Sequence, residues 1–138
     1  MKKLILITLL APLFSLAQNK YESAINFQNN IRSYYDLKPF NYNNDLSKIA
    51  QEWANHMAIT GEFELSDDSL GETIYAISKT SPIIPDNLLL DAAVSWAVDS
   101  DEAAFNQTIC ADCSSLGFGV AENLEYIYVV AKYDKIYK

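Results

Sequence analysis

Histidine occurs once in this 138-residue chain, cysteine twice and glycine four times. A single imidazole cannot build a zinc centre that rests on two or more histidines, and it leaves little for histidine-based acid–base chemistry. With so few glycines there is no phosphate-cradling loop, and no G-x-S-x-G nucleophile turn occurs. Basic residues are scarce as well: 10 Lys and Arg against 18 Asp and Glu give a formal net charge of −8. That balance disfavours nucleic acid and anionic lipid as partners; hard cations and cationic partners suit it better, and it also keeps a chain soluble. No internal repeat, low-complexity tract or linker is present.

Long apolar runs are missing except at the start, MKKLILITLLAPLFSLAQ. Lys2 and Lys3 precede an apolar run from Leu4 to Leu16, too short to span a bilayer, and Ser15-Leu16-Ala17 offers a small-x-small cleavage site. The pattern predicts a signal peptide over 1–17 and a single domain over 18–138, secreted or periplasmic after cleavage near Ala17, with no transmembrane segment in the mature chain. In an exported chain Cys110 and Cys113 are expected to be bonded to each other. A redox CxxC usually opens a helix, which lowers the thiol pKa; this one sits in a polar loop ahead of a strand. So short a bridge closes little chain and should contribute less than the usual ~2–4 kcal/mol.

Between these features the apolar residues keep clear periods. Ala24, Phe27, Ile31 and Tyr34 recur at helical spacing over 21–35, with Asn29, Asn30 and Arg32 between them, until Lys38-Pro39 breaks the helix. A second helix starts near Asn44 or Asp45 and stops at Gly61, with the stripe Leu46, Ile49, Ala50, Trp53 and Met57. Thr73–Ile77 reads as a strand. Asp86 can cap a third helix over 87–98, apolar almost all round and so expected to be covered on more than one side. A helical turn over 102–107 precedes two strands, Leu116–Ala121 and Tyr126–Tyr133, which flank Glu122-Asn123 as a hairpin. Helices around a small antiparallel sheet make an α+β layered domain.

The string Asn29-Asn-Ile-Arg32, then KPFNYNNDLSKIAQEWANHMA, GEFELS and GETI, resembles the CAP superfamily: the cysteine-rich secretory, antigen 5 and plant pathogenesis-related proteins, or SCP domains. Leu46, Ala50, Trp53 and Ala54 stand where that family reads L-x-x-x-A-x-x-W-A, with Asp45 just ahead of them. AAFNQTICADCSSLGFGVA is similar to its H-F-T-Q-V-V-W segment and following strand, and YVVAKYD to its closing Y-V-V-C-x-Y. The likeness spans residues 21 to 134 and implies a three-layer α-β-α sandwich.

It also implies a cleft. Many family members set two histidines and two glutamates around one, and some bind a divalent metal there. The matching positions here hold Leu65, Glu72, Asp99 and Ala104, so both imidazoles are gone and one carboxylate is shorter. The family's usual cysteine positions hold Phe118 and Ala131. The only histidine, His56, falls on the second helix and reads as a boundary residue. Zinc is therefore not expected. Glu72 and Asp99, helped by Glu64, Asp67 and Asp68, leave a weak oxygen-only possibility for Ca²⁺. Each acid also has a plainer reading: Asp99 as the start of the next helical turn, Glu72 as an exposed strand-leading residue, Asp67-Asp68 as a solvated turn. Asn106-Gln107-Thr108 is a formal glycosylation sequon. The expectation is an exported, non-catalytic binding module for a protein, lipid or glycan, with no bound cofactor. A hydrolase or calcium-dependent module using Glu72 and Asp99, and thiol exchange at Cys110 and Cys113, are the alternatives.

Overall fold

Side chains alternate across the strand Tyr126–Tyr133, and both faces of that strand are buried: Val129, Ala131 and Tyr133 on one side, Tyr128, Val130 and Lys132 on the other. A strand buried on both faces needs a layer of structure on each, and the fold supplies them. The computed structural model describes residues 21–99 and 102–138. The apolar run and cleavage site of the expected signal peptide lie outside these residues, as do Ser100 and Asp101.

The chain runs α1 (21–34), β1 (Asn41–Tyr42), α2 (Asn44–Thr60), β2 (Gly71–Ser78), α3 (Leu88–Val98), α4 (Glu102–Thr108), β3 (Ser115–Glu122) and β4 (Tyr126–Tyr133). The strands form one sheet in the order β1-β3-β4-β2. β4 pairs antiparallel with β3 and β2, and the two residues of β1 add a short parallel pairing to β3. Helix α2 covers one face, where Ala50, Ala54 and Met57 meet Tyr128 and Val130. The other face packs against Ala24 and Ile25 of α1 and Ala92, Ala93 and Trp96 of α3, with Ala104 of α4 at its margin. This is a three-layer α-β-α sandwich.

α2 is held at both ends by its own sequence. The Asn43 side chain accepts from Leu46 N–H, and Gly61 takes the left-handed conformation at the stop. The cap lies one residue ahead of the expected one. Along its length α2 rests on two glycines of β3: a Cβ on Gly117 would fall 2.2 Å from Ser47 N, and one on Gly119 2.3 Å from Gln51 N. The GFG of the sequence is a helix seat.

Two expectations are corrected. Tyr34 is 82% exposed, while Arg32, read as lying between the stripe residues of α1, is fully buried. Arg32 donates to the carbonyls of Lys38, Thr108, Cys110 and Cys113 and lies over the Phe40 ring at 3.9 Å, so burial leaves none of its charge unsupported. And α3 buries only Ala92, Ala93 and Trp96, its opposite flank remaining partly open with Val98 69% exposed.

Candidate functional site

After Gly61 the chain crosses in front of α2 as an irregular segment to β2. Trp53 Nε1 holds this segment by donating to Glu64 O (2.9 Å), and the Trp53 ring stacks on His56 at 4.5 Å. His56 itself is exposed on α2. The segment then delivers Ser66 and Asp68 to the end of the sheet where Glu72 of β2 faces Lys132 of β4 across the ladder.

Lys132 is the centre of the site. Its side chain is fully buried, with Nζ 2.5 Å from Glu72 Oε1, 2.6 Å from Asp68 Oδ2 and 2.5 Å from Ser66 Oγ. The Ser66 hydroxyl also donates to Glu72, and Ser66 N–H lies 3.0 Å from Glu72 Oε2. Asp68 Oδ1 accepts from Leu70 N–H. Partial burial would raise the Asp68 carboxyl, but hydrogen bonds from Lys132 and Leu70 together with the Lys132 charge hold it below the usual range. Sequence reading missed this lysine. Its signals were alternation, which puts position 132 on the same buried face as Tyr128 and Val130, and the register that sets it against Glu72.

A cleft of about 410 Å³ opens beside this cluster, and Leu65, Glu72 and Ala104 all line it. Asp99 is not in its lining: it is exposed at the C-terminal cap of α3, where its N–H bonds Ser95 O. Glu72 is no exposed strand leader, since only 5% of its side chain is accessible. Glu64 and Asp67 are exposed on the crossing segment. Two of the oxygen donors considered for calcium, Glu72 and Asp68, are thus already engaged by an ammonium. Among the described residues no group of three or more His, Cys, Asp or Glu could hold a metal ion.

On the sheet's other face, Tyr75 donates its hydroxyl to Asp91, and burial, with that carboxylate beside it, pushes the phenol pKa far up. The remaining motif residues are structural. Asn29 bonds both N–H and C=O of Phe40. Cys110 and Cys113 form a disulfide, buried with Gln107 Nε2 3.2 Å and Lys135 O 3.1 Å from Cys113 Sγ. Asn106-Gln107-Thr108 lies within α4, with Gln107 and Thr108 buried.

Comparison with known proteins agrees with this frame. The family model for CAP, the cysteine-rich secretory protein family, matches residues 25–133. No curated protein sequence matches the chain. Among solved structures, BmVAL-1 is 17% identical with a TM-score of 0.69, covering 85% of this chain and 77% of its own. NaASP2 with Zn²⁺ is 17% identical with a TM-score of 0.68, covering 81% of this chain and 77% of its own. Venom allergen-like protein 4 of Schistosoma mansoni is 14% identical with a TM-score of 0.64, covering 83% and 87%. At these identities the likeness is one of fold.

Proposed function

The chain belongs to the CAP family of cysteine-rich secretory proteins, and from that premise we propose that it is a non-catalytic binding module, exported and cleaved near Ala17 to leave a single domain over residues 18–138. No helix among the described residues is long and apolar enough to cross a membrane, and export rests on the tripartite N-terminal pattern. The observation that carries the reading is Lys132. Its ammonium supplies, from within the chain, the positive charge that Glu72 and Asp68 require. The Lys132 amine is fully buried and engaged by two carboxylates, and Ser66, hydrogen-bonded into the same cluster, has no free base beside it. With Leu65 and Ala104 at the two positions where the family resemblance places imidazoles, the cleft offers shape and an apolar wall rather than a reacting group.

The ligand class is a protein, lipid or glycan. The test is a binding panel of peptides, lipid vesicles and glycans, run with and without Ca²⁺ and Zn²⁺, beside long incubations with peptide and glycosidic substrates. The expected result is saturable binding in one class, unchanged by either metal, and no turnover. Turnover abolished by Glu72→Gln, or no binding in any class, would overturn the reading.

A further inference from the structure

The two edges of the sheet are treated differently. On the β3 side the outward backbone groups of Phe118 and Val120, beyond β1, are closed by side chains. Phe118 N–H and C=O meet Tyr42 OH and Ser47 Oγ, and Gln51 bonds both Val120 O (2.6 Å) and Val120 N–H (3.0 Å). On the β2 side such closure is sparse among the described residues. Lys79 N–H bonds Glu125 O in the β2–β4 register, so by antiparallel alternation residues 73, 75 and 77 bond β4 while Glu72, Ile74 and Ala76 turn their N–H and C=O outward. Among the described residues one of these groups has a partner, the Ile74 carbonyl, which accepts from Trp96 Nε1 at 2.8 Å.

This open edge lies along a cleft. The cleft of about 410 Å³ runs along it, lined by both faces of the strand from Glu72 to Ala76, with Phe63 and Leu65 on one bank and Ser95, Ala103 and Ala104 on the other. A second groove of about 400 Å³ shares Phe63 and Ala76 and continues past Tyr126 and Tyr128. Unpaired strand groups in an apolar trough are the setting for strand addition, in which backbone bonds give affinity and alternate side chains enter the pockets. Charge selects the occupant. Glu62 and Glu64 alternate with Phe63 and Leu65 on one bank; on the other, Asp99 follows Ser95 by one helical turn and Glu102 precedes Ala103. All four are exposed, and none makes an ion pair among the described residues. Glu72, on the floor, is already neutralised by Lys132. Exposed acids therefore flank the lining residues of both banks along the chain, and among the described residues no basic one lines either groove. A second copy of this chain, at −8, would bring like charge to both banks.

We propose that the β2 edge binds an extended polypeptide segment of alternating apolar and basic residues, added as a fifth strand beside Glu72–Ala76. The inference rests on the binding-module reading and names its partner class. The probe is a capped (Lys-Val)3 peptide, with two isomers N-methylated on the valines or on the lysines, and capped (Glu-Val)3 for comparison. Amide exchange of the free protein should show 73, 75 and 77 protected and 72, 74 and 76 open. The Lys-Val peptide should protect 72, 74 and 76 at least tenfold, the acidic peptide should bind at least tenfold more weakly, and the two N-methyl isomers should differ by at least tenfold because only one edge of an added strand meets β2. Ala76→Pro, which removes an outward N–H and leaves the β4 ladder whole, should cost a similar factor; should that variant misfold, the methylated peptides decide alone. Equal affinity of the two isomers, or no new protection at 72, 74 and 76, overturns strand addition, as does a dimer that protects those amides without peptide. Vesicles or glycans that bind without protecting them would sink this inference and leave the binding module standing; no saturable ligand of any kind would sink both.

Discussion

Lys132 and Glu72 stand directly opposite each other on β4 and β2, their charged atoms 2.5 Å apart, and the same ammonium reaches out of the sheet to Asp68 on the segment before β2. A buried charge of this kind stabilises little in itself, because desolvation offsets much of the attraction. What it does is tie: the crossing segment is pinned to the sheet, and the wall of the cleft is pinned with it.

Removing one partner should therefore be far worse than removing both. Lys132→Met leaves Glu72 buried without a counter-charge and is expected to cost ~3–5 kcal/mol in urea unfolding. Lys132→Met with Glu72→Gln should recover a good part of that loss. If the two single costs simply add, the pair is not coupled and this account of the site is wrong.

Acid should loosen the same region. Asp68 is held below the usual carboxylate range as described, and so is Asp134: burial opposes its charge, but Ser114 N–H, Ser114 Oγ and Ser115 N–H outweigh burial. A lowered folded pKa contributes stability that is complete above the unfolded value, near ~4 for Asp, and is lost as pH falls through the folded one. Thermal melts should hale little change from pH 7 to 5 in these groups' contribution and a decline below about pH 4. Asp134→Asn should flatten part of that decline; an unchanged acid limb would remove Asp134 from the explanation.

These two sites also mark where sequence reading stopped. Local signals carried α2 almost whole, since its cap, stripe and glycine stop are all neighbours in the chain, and carried the β3–β4 hairpin, where alternation meets Glu122-Asn123. The disulfide followed from a short spacing in a polar loop. Lys132 and Arg32 did not follow, because each is made tolerable by partners far away: Glu72 lies 60 residues from Lys132, and Cys113 81 from Arg32. A rule that places charges outside cannot see such partners. Of the four cleft positions suggested by resemblance, three line one cavity and Asp99 lies beyond its lining, a geometry that depends on how α3 ends.

Arg32 should resist conservative replacement. Its planar fork serves four carbonyls at once, three of them around the disulfide loop. Lysine offers a point charge that cannot span them, so Arg32→Lys is expected to cost roughly 2–4 kcal/mol. The loop should open with it. In the native protein the buried Cys110–Cys113 bridge should react with mild thiol only slowly, and in Arg32→Lys the reaction should quicken at least tenfold. A bridge equally fast in both proteins would mean that Arg32 does not guard it.

Glycines 61 and 119 should fail for different reasons, and that difference tests how α2 is seated. Gly61 has φ of 73° and open space around the missing Cβ. Gly61→Ala should cost ~1–2 kcal/mol from backbone strain, felt at the end of α2 alone. Gly119→Ala puts a methyl 2.3 Å from Gln51 N and 2.5 Å from Ala50 C, backbone atoms that yield only if the helix moves. Its cost should reach or exceed ~3 kcal/mol, the upper end for overpacking. It should also break the Gln51 bonds that close Val120, so the Val120 amide should lose exchange protection in Gly119→Ala and keep it in Gly61→Ala. Loss in both, or in neither, would mean that the glycine of β3 is not what lets the helix lie down on the sheet.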